Sequence, residues 1–225
     1  MKRLAALALI LALCLSACGT ANAGPSPTPE ATPLPTATPV PVEEASSGVS
    51  PLCTAVLREL RHVRSSEFRS EDDEWQIRET LKYFFLLRRN IDCEREYDIP
   101  DFSVFFDETS PDYDNLVYNI DKARYYRLLA EQDDSLDYVW YNCTLTIESL
   151  QIDGNTARAQ VYDSMDMIYE GMRFMSGAGT TNYVELAKVD GVWLMTDIHA
   201  ADTFDGAVTH EELLEMIYQL SDGEV

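Results

Sequence analysis

The chain is poor in the residue patterns that build metal and cofactor centres. It has three histidines, His62, His199 and His210, with no His-x-x-x-His or His-x-His spacing and no Cys-x-x-Cys. A transition-metal site is therefore not expected. Gly-x-Gly-x-x-Gly, phosphate-loop and Gly-x-Ser-x-Gly sequences are missing, so no nucleotide cofactor or serine nucleophile is signalled. Asp112-Tyr113-Asp114-Asn115 and Asp153-Gly154-Asn155 lack the spacing and closing glutamate of a calcium loop and read as solvated turns. Positive charge is scarce: 17 Lys and Arg stand against 39 Asp and Glu, a formal charge of −22. That excludes a nucleic-acid partner, which needs basic groups to replace condensed counterions. Long apolar runs are also lacking. The longest, Leu4 to Leu15, has twelve residues, short of the ~20 that span a bilayer. What is present is a core's worth of apolar side chains, 46% of 225 residues, with 10% aromatic.

The short apolar run follows Met1-Lys2-Arg3 and ends in Leu15-Ser16-Ala17-Cys18-Gly19. A basic start, an apolar stretch and small residues before a cysteine resemble a bacterial lipoprotein signal. The resemblance implies a signal peptide over 1–17, cleavage before Cys18, and acylation of the Cys18 thiol. The alternative is an ordinary secretory signal cleaved near Ala21 or Ala23. Acyl chains contribute ~0.8 kcal/mol per buried CH₂, and two or more anchor stably. The expected location is thus the outer face of a bacterial cell membrane, with the membrane as partner through the lipid.

Seven of ten prolines fall between Pro25 and Pro41. Proline at alternate positions forbids helix and sheet pairing, so residues 18–50 read as a Pro/Thr-rich spacer. A folded domain is expected over 51–225. Leu52, Val56, Leu60 and Val63 recur at helical spacing. A second helix is expected from an N-cap at Ser70, through Trp75, Ile77, Leu81, Phe84 and Phe85, to Arg88-Arg89-Asn90. A third runs over 111–130 with Leu116, Ile120, Ala123, Tyr126 and Leu129 inward. After Asp137 the period becomes two. Val139 to Ile147 and Thr156 to Tyr169 alternate around Asp153-Gly154, and Gly171 to Thr180 reads as a loop. Tyr183 to Val189 and Val192 to His199 flank Asp190-Gly191, a type I′ hairpin signal. Thr209 with Glu212 forms a capping box before a last helix. Helices followed by four antiparallel strands make an α+β domain with the helices on one face of a curved sheet.

That order, with Leu145 to Ala157 around Asp153-Gly154-Asn155 and with Lys188 to Ile198 around Asp190-Gly191 and Trp193, resembles the NTF2-like (cystatin-like cone) superfamily over residues 70–205. It is most similar to the region that precedes amidase domains in Gram-positive secreted proteins. The chain stops at Val225, so no amidase activity is expected of it. The resemblance implies a binding or scaffolding module, or an accessory partner of a separately encoded cell-wall enzyme.

Two constellations remain. NTF2-like enzymes place an acid or base inside the cone. Trp193, Met195, Asp197 and His199 alternate on one face of the last strand, with Asp163 expected opposite them and Asp202 and Asp205 just beyond. With Trp193 and Met195 lining a cavity, Asp197 and His199 make an acid–base pair for an isomerase or hydro-lyase; a solvated strand end is the bland alternative. Cys53 begins the first helix and Cys93 follows the second, so antiparallel helices bring the two thiols together as a disulfide candidate. Cys143 reads as a small core residue. Residues 96–137 mix twelve acids with aromatics, either a surface for a basic protein or a solvated face over an aromatic core.

Overall fold

The computed structural model describes residues 48–65, 72–133, 137–171, 176–202, 204 and 207–221. The signal, Cys18, nearly all of the spacer, Ser70 and Asp205 lie outside these residues. Four helices and four strands follow one another: α1 (Pro51–Val63), α2 (Asp73–Cys93), α3 (Tyr113–Glu131), β1 (Tyr138–Asp153), β2 (Thr156–Tyr169), β3 (Ser176–Val189), β4 (Val192–Ala200) and α4 (His210–Leu220). A 3₁₀ turn, Ser103–Phe105, lies between α2 and α3. The sheet is antiparallel in the order β1-β2-β3-β4, with helices over one face, and the α+β class holds.

Local chemistry sets the helix starts. Ser50 caps α1 by accepting the Cys53 N–H at 3.0 Å, with Pro51 at the first helical position. α2 opens at Asp73, where Asp72 is the cap and accepts the Glu74 N–H. It also runs one turn beyond Asn90, carried by Ile91, which is buried in the core. The capping box at Thr209 and Glu212 forms as expected. Asp190 and Gly191 both take positive φ, 50° and 81°, as a type I′ turn requires.

Two expectations fail for identifiable reasons. Ser176–Thr180 is strand, not loop, and pairs with Asp163–Met167 of β2. Its glycines serve close approach, since a Cβ at Gly179 would run into the Tyr162 ring lying across it. The inward face of α3 is rotated from the expected stripe: Leu116, Asn119, Lys122, Ala123 and Tyr125 are buried, whereas Tyr126 is exposed. α3 packs on β4 and also on α4, where Tyr125 joins Phe204, Leu213 and Ile217 in a second small core.

α2 positions everything else. At its start Asp73 accepts from Trp193 Nε1 at 3.0 Å and from Lys188 Nζ on the β3–β4 hairpin. At its end Arg89 reaches Asp163 on β2 at 2.8 Å, and Cys93 Sγ lies 3.7 Å from Met165 Sδ. Between these ties Ile77, Leu81, Phe84, Phe85 and Leu87 are buried. A side chain of that kind contributes about 1.5–3 kcal/mol on full burial.

Candidate functional site

The inner face of the sheet divides into an apolar and a polar part. In the apolar part the Phe84 ring stands edge-on to Phe85, Phe102 and Phe105, with centroids 5.1, 5.8 and 5.7 Å away. Trp193 and Met195 belong to the same core and are 1% and 0% exposed. The phenylalanines of residues 96–137 are thus interior, while Glu96, Asp98, Asp101 and Glu108 face solvent.

The polar part is built from α2, α3 and the sheet. Asp163 is 2% exposed and sits on the inward parity of β2, between Val161 and Met165. A carboxylate there demands a cation. Arg89 supplies one at 2.8 Å and Arg88 approaches at 3.7 Å, while Arg88 Nε also donates to the Asn119 carbonyl at 3.5 Å. One turn further along α3, Lys122 is 1% exposed, donates to Asp202 at 2.9 Å, and lies over the Tyr118 ring. Although Tyr126 is 38% exposed, desolvation at its hydroxyl end, and then the Asp202 charge, push that hydroxyl above the ordinary phenol range. Asn182, fully buried on β3, donates to the Thr180 carbonyl. These groups were not singled out as a cluster from sequence, where Arg88 and Arg89 look like a basic helix end. The signal that finds them is parity: Asp163 on a buried strand face, and Asn119 and Lys122 in step with Leu116.

Asp197 and His199 do pair, with His199 Nε2 3.0 Å from Asp197 Oδ2. Asp197 Oδ1 accepts from Asn115 Nδ2 at 3.0 Å and from the Ile198 N–H at 2.8 Å. The pair does not share a face with Trp193 and Met195. The register passes from Leu186↔Met195 to Glu185↔Asp197, leaving Thr196 as an extra residue. Such a bulge exchanges the two faces of the strand beyond it. Ile198 and Ala200 then point inward, and Asp197 and His199 join Tyr183 and Glu185 on the outer face. The His199 side chain is 57% exposed. The open grooves of the described surface lie elsewhere. One of about 470 Å³ is lined by Asp98, Ile99, Asp121, Arg124 and Leu128. Another of about 550 Å³ is lined by Cys93, Arg95, Glu96, Asp137 and Tyr138.

Cys53 and Cys93 are not bridged. Burial and then the Glu94 charge raise the Cys53 thiol pKa, whereas Cys93 faces Met165 on the sheet. Among the described residues no group of three His, Cys, Asp or Glu is arranged to hold a metal.

No family model matches the chain, and no curated protein matches it. Among solved structures it is similar to an NTF2-like superfamily protein from Salmonella enterica serovar Typhimurium, at 15% identity over 27% of this chain and 46% of that one, with a TM-score of 0.22. It is also similar to the Kfla4162 protein from Kribbella flavida (12% identity, 59% of this chain, 93% of that one, TM-score 0.37). An NTF2-like protein with a cystatin-like fold from Novosphingobium aromaticivorans is 18% identical over 72% of this chain and 96% of that one, with a TM-score of 0.39. The chain spans less than half of the Salmonella protein, and likenesses at these scores carry nothing about ligand or activity.

Proposed function

We propose that the protein is a lipid-anchored module at the outer face of a bacterial cell membrane, whose NTF2-like domain binds or scaffolds and does not catalyse. The observation that carries the second half is the occupied inner face. The volume that would hold a substrate contains the Phe84 cluster and the Asp163 and Lys122 ion pairs, and the Asp197–His199 pair is turned away from it. The surface offers contact groups in its place. Val139, Trp140 and Tyr141 are exposed at the start of the edge strand β1, and Tyr162 and Tyr183 on the outer face. The anchoring half rests on the run from Leu4 to Cys18. A net acidic domain is repelled by anionic lipid, so the acyl chains would hold it and the proline spacer would set its distance. Replacing Cys18 by Ser tests this: the variant leaves the membrane fraction while its circular dichroism is unchanged. Retention in that fraction would refute the anchor.

A further inference from the structure

Two sulfur atoms, those of Cys93 and Met165, meet where α2 ends over the sheet, and Cys143 is paired with Met165 across the ladder. The helix runs in step with β2: Arg89 meets Asp163, and four residues on Cys93 meets Met165, two residues on. The helical rise over four residues is about 6 Å and the strand rise over two is about 6.6 Å, so the match is geometric. Across the ladder Met165 is the direct partner of Cys143. Cys143 shares the inward parity of Leu145 and Ile147, which pack on the core. Directly opposed residues on antiparallel strands have Cβ atoms about 4.5–5.5 Å apart. Cys93, 3.7 Å from the Met165 sulfur, therefore stands over the Met165–Cys143 pair. Access exists as well, because Cys93 lines the open groove of about 550 Å³ with Arg95 and Tyr138.

We infer that Cys93 and Cys143 are a redox pair, which a soluble disulfide converts into a bridge between the end of α2 and the edge strand β1. The Cys93 thiolate, reached through the groove, attacks one sulfur of the donor and expels its other half as a thiol. The Cys143 thiolate then attacks the Cys93 sulfur and expels the second half. The protein loses two protons and two electrons, and the donor ends as two thiols. Cys93 is the last residue of its helix, where the backbone yields most readily to the short approach a disulfide needs. Cys53 is the poor partner. It is 2% exposed, and burial holds its thiol protonated, whereas the thiolate is the reactive form.

The test is peptide mapping of the full chain after incubation with oxidised glutathione and alkylation. Cleavage after Lys and Arg places Cys93 in 90–95, Cys143 in 128–158 and Cys53 in the peptide ending at Arg58, which is 4–58 in the unprocessed chain and 18–58 once the signal is removed. The expected product is 90–95 joined to 128–158, two hydrogens lighter than the separate peptides. In Cys143→Ser the peptide 90–95 carries glutathione and forms no link. Linkage of 90–95 to the peptide ending at Arg58, or recovery of both Cys93 and Cys143 as alkylated thiols, would overturn the pair. The outward location proposed above would have the bridge form in the cell. Protein isolated without reductant and already carrying the link supports both readings. Protein that arrives reduced, yet links on addition of glutathione disulfide, keeps the pair and overturns the location.

Discussion

The two parts of the inner face do the same work by different physics. Around Phe84 the interior is held by ring contacts and apolar burial, where total volume and rough shape suffice. Around Asp163 and Lys122 it is held by buried charges, each of which is costly without its partner. The first part accepts conservative change and the second accepts little, so fold specificity is concentrated in the polar half. Among the described residues the domain thus buries six charged or amide side chains: Asn119, Lys122, Asp163 and Asn182 on α3 and the sheet, and Gln76 and Asn90 on α2.

Breaking the apolar part has the largest expected effect. Phe84→Ala should destabilise by about 4 kcal/mol, read as a lower urea midpoint, while Phe84→Leu costs much less. Asp163→Asn should cost about 3 kcal/mol, because it removes the carboxylate that Arg88 and Arg89 share. Coupling it to Arg89→Met should recover part of that loss in a double-mutant cycle; simple additivity would show that the cluster is not a unit. The third effect is pH-dependent. Hydrogen bonds from Lys188 and Trp193 hold the Asp73 carboxyl below its ordinary value. A depressed folded-state pKa gives stability that is complete above the unfolded value, about 4, and is lost as pH falls toward the folded one. Asp73→Asn should flatten the stability profile in that window and leave it unchanged in shape near neutrality. The smallest effect belongs to the outer face: His199→Ala should change stability by less than about 0.5 kcal/mol, as for a contact made by a side chain more than half exposed.

Much of this architecture was legible because period and punctuation agreed. Thr156 to Tyr169, the Asp190-Gly191 turn and the Thr209 capping box stand where alternation and cap chemistry placed them. What escaped was whatever depended on a single inserted residue or on partners far along the chain. The bulge at Thr196 reverses the parity of β4 and moves Asp197 and His199 out of the interior. Alternation along one strand cannot reveal it, because the extra residue is defined only against β3. A similar register shift between Ile147 and Ser149 moves the inward parity of β1 from Cys143, Leu145 and Ile147 to Leu150 and Ile152. Ser176 to Thr180 reads as loop because its glycines look flexible, and only the rings and side chains of β2 show why they are small. Helical spacing puts a cysteine at the end of α2 without saying which neighbour it faces, and only the packed structure turns Cys93 to Met165 on the sheet.

The proposal that unites signal, spacer and domain is lipid anchorage at Cys18, and its direct test is the mass of the N-terminal peptide of the protein recovered from the membrane fraction of a lipoprotein-processing bacterium. The expected result is a peptide that begins at Cys18 and carries a diacylglyceryl group on its thiol. An unacylated peptide beginning just after Ala21 or Ala23 would contradict the account.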